Sequence, residues 1–124
     1  MANVLVVDDS ALSRRTSRRI LEAAGHTVTE AADGLAALER YAVSRPDVVL
    51  LDVTMAGMDG LEVLAQLRAM DPAARVVMAT ADVQTSTRTL SAAGGAVGFV
   101  VKPLTTDAVV RAVDAALAAE GAAP

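Results

Sequence analysis

Five residues of this chain have the types and spacing to act together: Asp8, Asp9, Asp52, Thr80 and Lys102. Two runs of Val and Leu stop on acids. Val4-Leu5-Val6-Val7 leads into Asp8-Asp9, and Val48-Val49-Leu50-Leu51 leads into Asp52. Short apolar runs bounded by polar residues read as strands buried on both faces. In an open parallel sheet, ligands sit outside the carboxyl ends of the strands. Three carboxylates at one such edge repel one another, so a cation must lie among them. Lys102 is the single lysine among eleven basic residues. Its compact ammonium on a flexible stem can neutralise a point charge, whereas a guanidinium forks. The candidate metal ligands are all oxygens. With no cysteine and only one histidine in the chain, hard oxygen ligands favour magnesium. Such a site leaves a carboxylate able to act as a nucleophile, as aspartyl-phosphate chemistry requires.

The elements that must position these residues alternate between strand and helix five times. Strands are expected at about Asn3 to Val7, Thr27 to Ala31, Asp47 to Leu51, Arg75 to Ala79 and Gly98 to Val101. The first helix spans about Ser10 to Ala24 and stops at Gly25. The second starts at the N-cap Asp33 and runs to about Val43. The third begins at Asp59, with Glu62 three residues on as an acidic variant of the capping box, and ends before Asp71-Pro72. The fourth covers about Thr85 to Ala93. The last starts near Thr105 or Thr106 and ends near Ala119. Alternation of this kind implies βαβ units, a parallel sheet and helices on both faces. The fold class is therefore α/β, a doubly wound (βα)5 sheet of five strands. Helix four carries Thr85, Ser86, Thr87, Thr89 and Ser91, all mediocre helix formers. It is expected to be the loosest element, a place where switches arise.

Composition bounds the rest. The length of 124 residues suits one domain, read as residues 1–120 followed by a flexible tail, 121–124. Apolar residues make up 53% and aromatic residues 2%, so Val, Leu, Ala and Met must build the core. A net charge of −4 with scattered arginines offers no nucleic-acid footprint. No basic, apolar leader and no membrane-length apolar run is present, so a cytoplasmic protein without membrane insertion is expected.

The motifs VLVVDDS, LLDVTMAGMDGLEVL, MATAD and GFVVKP resemble, in this order and spacing, the receiver domain of two-component response regulators, the CheY-like fold. The resemblance spans nearly the whole chain and implies sheet order 2-1-3-4-5. It further implies that Asp52 accepts a phosphoryl group from a phosphohistidine on a sensor histidine kinase or phosphotransfer protein. Asp8, Asp9, Asp52 and the backbone carbonyl of Thr54 would hold Mg2+. Thr80 and Lys102 would bind phosphoryl oxygens, Phe99 would be the aromatic switch residue, and the Lys102-Pro103 bond would be cis. Output would go through the face of helix four, strand five and helix five to a downstream protein target. The chain would be a signalling protein with slow autodephosphorylation rather than a turnover enzyme. One departure is Ala56, followed by Gly57, where the family commonly has proline. That loosens the loop after strand three by about 0.4–1 kcal/mol of ordering. Thr54 and Asp82 occupy positions that tune phosphoryl lifetime in the family.

Plainer readings stand beside these. Asp8 or Asp9 taken singly could cap the first helix, and Asp59 reads better as an N-cap than as a ligand. Phe99 could be a core aromatic. His26 is expected in an exposed turn and Tyr41 in packing. Arg14, Arg15, Arg18 and Arg19 pair at helical spacing away from a stripe of Leu12, Thr16 and Ile20. They form either a solvated face or a docking face for the kinase or phosphotransfer partner. A receiver fold that acts as a phosphorylation-independent adaptor is the rival function. A haloacid-dehalogenase-like phosphatase fits less well, because that family places its nucleophile after strand one in an Asp-x-Asp pattern.

Overall fold

A computed structural model of the chain describes residues 2–55, 59–81 and 85–119, the side chains of 85–88 excepted. The tail 121–124, Ala56, Gly57 and Asp82 lie outside the described residues. The elements are β1 (Asn3–Val7), α1 (Ala11–Ala23), β2 (Thr27–Ala31), α2 (Gly34–Ser44) and β3 (Val48–Asp52), then α3 (Gly60–Met70), β4 (Val76–Thr80), α4 (Thr85–Ala93), β5 (Gly98–Val101) and α5 (Thr106–Ala118). All five strands are parallel, in the order β2-β1-β3-β4-β5. The doubly wound α/β fold expected from the alternation is the one found. No helix among the described residues is long and apolar enough to cross a membrane.

The two-residue period of a strand divides the core. Leu5 and Val7 of β1 face one side, where Tyr41 of α2 and Val63, Leu64 and Leu67 of α3 cover them. Val4 and Val6 face the other, against Leu21 of α1 and Val109 and Val113 of α5. Every residue of β3 and β4 is buried, and each such Val, Leu or Met contributes about 1.5–3 kcal/mol on leaving water. The helices begin on side-chain caps: Ser10, Asp33 and Thr105 accept from the backbone N–H groups of Ser13, Ala36 and Ala108.

Several local expectations need correction. β3 and β4 each lie one residue later than the apolar runs suggested, so Asp52 and Thr80 are the last residues of their strands. The buried face of α1 carries Ser17 and Leu21, while Leu12 is 71% exposed and Thr16 is also exposed. A helix turns about 100° per residue, so a stripe displaced by one position faces elsewhere. Leu12 falls on the first turn and lines a surface pocket together with Pro103 and Leu104. His26 is buried rather than exposed, and its Nδ1 accepts the Ala2 N–H at 3.2 Å. The segment before β1 lies over it, because Thr27 N–H bonds to the Ala2 carbonyl at 2.8 Å. Asp59 does cap α3, but through the Leu61 N–H at 2.8 Å instead of that of Glu62.

Two contacts set where α2 and α3 sit. Tyr41, expected to pack, is buried, and its hydroxyl donates to Asp71 Oδ2 at 2.7 Å. Burial, then Asp71, pushes the phenol up to about 12. The same bond holds the Asp71 carboxyl below its usual range. At the other end of α3, Gly60 N–H bonds to the Val53 carbonyl at 2.8 Å. A methyl group on Gly60 would overlap the backbone carbonyl of Asp52 and the backbone of Val53.

Gly60→Ala is therefore expected to cost about 1–3 kcal/mol by overpacking, read as a lower urea midpoint at unchanged slope. Tyr41→Phe is expected to cost about 1 kcal/mol at neutral pH, since Asp71 is partly solvated. Because the fold depresses the Asp71 pKa, that stability is present above the unfolded value of about 3.9 and lost as pH falls through the lowered folded value. Urea midpoints of wild type and Tyr41→Phe should draw together below about pH 4; an undiminished gap there would reject the assignment.

Candidate functional site

β1 is followed by a crossover to β2 on one side, and β3 lies on its other side. The crevice between the carboxyl ends of β1 and β3 is thus the point where strand order reverses, the usual ligand position in open α/β sheets. The β1–β3 ladder ends with Val7 beside Leu51. The next residues, Asp8 and Asp52, are both buried, while Asp9 is exposed. Asp8, Asp9 and Asp52 each offer a carboxylate oxygen within 4.8 Å of the others. Three hard oxygen donors at that spacing fit a small divalent cation that keeps several waters.

Lys102 comes from the end of β5, with β4 standing between β5 and β3. Its stem spans that gap. Nζ lies 2.8 Å from Asp8 Oδ2 and 3.3 Å from Asp52 Oδ2. Its backbone is fixed as well: Lys102 N–H donates to the Thr80 carbonyl at 2.7 Å, and the Lys102-Pro103 peptide is cis. Thr80 is 1% exposed at the end of β4, the strand between those that lead into Asp52 and Lys102.

The electrostatics follow from this crowding. Burial, then the neighbouring Asp8, raises the Asp52 carboxyl above its usual range, and Lys102 opposes the shift. Burial alone would lower the Lys102 ammonium. The hydrogen bond the ammonium donates to Asp8 and the charge of Asp52 outweigh it, so the lysine is held charged above its ordinary range. Each removal of charge from this cluster would expose the remainder, since partly buried charges are poorly screened.

The other sequence candidates distribute as follows. Thr54 is exposed two residues past Asp52, and its N–H donates to Asp52 Oδ1 at 3.3 Å. Phe99 sits on β5 opposite Met78, half-buried against the core that α2 and α3 cover. On α1, Arg15 and Arg19 are exposed. Arg14 and Arg18 both reach Glu30 of β2, at 3.1 and 2.6 Å. Gly60 and Glu30 were not visible as site-supporting residues in the sequence. A glycine after an N-cap has no periodicity to mark it, and Glu30 reads as one more strand acid.

The family model described as the response regulator receiver domain matches residues 4–114. The chemotaxis protein CheY of Listeria monocytogenes is 40% identical over 117 residues, covering 94% of this chain and 98% of that protein. CheY of Halobacterium salinarum is 34% identical over 116 residues, covering 94% and 97%. The structure of Vibrio cholerae chemotaxis protein CheY4, crystallized at pH 4.0, superposes with a TM-score of 0.88 at 33% identity, covering 92% of this chain and 97% of that one. With three acids and an ammonium gathered at the switch point of this sheet, the chain belongs to the response regulator receiver domain family.

Proposed function

We propose that this chain is a single-domain response regulator that accepts a phosphoryl group on Asp52 from a phosphohistidine of a sensor histidine kinase or phosphotransfer protein. The observation that carries the reading is the Asp52 carboxylate at the end of a fully buried strand, 3.3 Å from Lys102 and clustered with Asp8 and Asp9. In the transfer, an Asp52 oxygen attacks phosphorus, an O–P bond forms and the N–P bond to the donor imidazole breaks. Slow attack of water on the same phosphorus later releases phosphate and restores the carboxylate. Phosphoryl transfer asks the protein for positioning and charge neutralisation more than for covalent help. Asp8, Asp9, Asp52 and the carbonyl of Thr54 would hold magnesium, which when bound offsets the charge on the phosphoryl oxygens. The Lys102 ammonium pairs with one phosphoryl oxygen, and the Thr80 hydroxyl donates to another.

The switch follows from the added charge. A phosphoryl group brings about −1.5 to −2 at neutral pH, and Thr80 and Lys102 move toward it. Lys102 directly follows β5, which carries Phe99, so the displacement reaches Phe99 and the surface of α4, β5 and α5, where a downstream protein is recognised. Moving an equilibrium from mostly off to mostly on takes about 5.5 kcal/mol of differential stabilisation, within reach of a desolvated ion cluster. The product of this chemistry is a changed binding surface, which makes the chain a signalling protein rather than a turnover enzyme.

Incubation with acetyl phosphate and Mg2+ is expected to add the mass of one phosphoryl group, with the label lost in acid or base as an acyl phosphate. EDTA should abolish the addition, and Asp52→Asn should not take it up. Folded wild-type protein that stays unmodified under these conditions would favour the phosphorylation-independent adaptor. Lys102→Ala is expected to slow labelling about a hundredfold or more, the usual effect of deleting one preorganised donor. Lys102→Arg should restore little, since a forked guanidinium does not replace a point charge; labelling rates by intact mass decide it.

A further inference from the structure

Arg14 points inward from the first turns of α1. Its side chain is 18% exposed. Nη1 donates to the backbone carbonyl of Asp8 at 2.7 Å, and Nε donates to Glu30 Oε1 at 3.1 Å. The second oxygen of Glu30 accepts from Arg18 Nη1 at 2.6 Å, and Arg18 also pairs with Glu22 at 3.1 Å. Arg18, then Arg14, hold the Glu30 carboxyl below its usual range, so it stays ionised at neutral pH. One guanidinium is thus fixed between a β2 carboxylate and a carbonyl at the acid site.

That carbonyl is a sensitive point. The Asp8 N–H is held by the Ala31 carbonyl at 3.2 Å, Oδ1 by the Ser10 N–H at 2.9 Å, and Oδ2 by Lys102. The Asp8 carbonyl lies past the last rung of the β1–β3 ladder. It belongs to the same rigid peptide plane as the Asp9 N–H. Fixing the carbonyl fixes that plane, and hence the direction in which Asp9 leaves the chain. Asp9 is exposed.

We infer that Arg14 is a positioning residue for the acid site: anchored on Glu30, it clamps the Asp8-Asp9 peptide so that both carboxylates keep the spacing a divalent cation needs. The inference rests on the metal-binding reading of these acids. Its sign separates it from a simple charge effect. Through space, the positive charge of Arg14 opposes cation binding, so deleting the charge alone would tighten binding. Losing the clamp would loosen it. Lysine keeps the charge but cannot bond the carbonyl and Glu30 through one planar fork.

The test is calorimetric titration of Mg2+ into the unphosphorylated full chain, for wild type, Arg14→Lys and Arg14→Met. Circular dichroism and urea midpoints check that the metal-free proteins are folded. Both variants are expected to bind Mg2+ about 10- to 100-fold more weakly, the usual loss when a partner of the metal ligands is removed. Unchanged or tighter binding in Arg14→Lys, with wild type binding normally, would overturn this inference and leave the metal reading standing. Wild type that binds no Mg2+ would overturn both. Should the Arg14 variants not fold, Glu30→Gln carries the test, with weaker Mg2+ binding expected and unchanged binding counting against the clamp.

Discussion

The ammonium of Lys102 between Asp8 and Asp52 is the constraint on which the site depends. Two buried carboxylates side by side are costly unless a positive charge is shared between them. Here the charge arrives from the far edge of the sheet, across β4, with Nζ 2.8 and 3.3 Å from the two acids. The shift of Asp52 upward and of Lys102 upward are two views of one balance: burial penalises the charged carboxylate, and the acids keep the lysine protonated. Three acids against one ammonium leave the cluster net negative, which favours a further cation over an anion.

The sheet supplies that geometry through its strand ends. Asp52 and Thr80 are the terminal residues of β3 and β4, so the parallel ladder sets their backbones. Gly60 lets α3 start directly against the carbonyl of Asp52. Asp8 follows the end of β1 and is tied to β2 through its N–H and to α1 through its carbonyl. The side chains of the site thus come from the ends of four strands, β1, β3, β4 and β5, whose backbones are held in one ladder. This is how a cluster of like charges keeps a fixed spacing.

Much of this was legible from the residues in order. Apolar runs rich in Val and Leu marked β1, β3 and β4, because strands buried on both faces need near-continuous apolar residues. Ser, Asp and Thr stand at the helix starts Ser10, Asp33 and Thr105, where their side-chain oxygens satisfy orphan N–H groups. The errors have physical causes too. Leu12 and Thr16 look like part of an apolar stripe, yet α1 turns Ser17 and Leu21 to the core and leaves the first two exposed. His26 follows a glycine turn and looks solvated, but the segment before β1 covers it and Ala2 donates to its ring. Strand ends slipped by one residue at Asp52 and Thr80, since a polar residue can close a ladder that its side chain does not enter.

By itself the sequence determined which groups are present and in what chain order: three acids, a threonine, one lysine and the apolar strands before them. Residue type and local period suffice for that, because they act over a few neighbouring positions. Only the tertiary structure decided that a lysine 94 residues from Asp8 lies against it, and that Arg14 turns inward to Glu30 and the Asp8 carbonyl instead of outward with Arg15 and Arg19. Those outcomes depend on strand order and on the rotation of α1 about its axis. Both are set by long-range packing, which the spacing of residues along the chain does not encode.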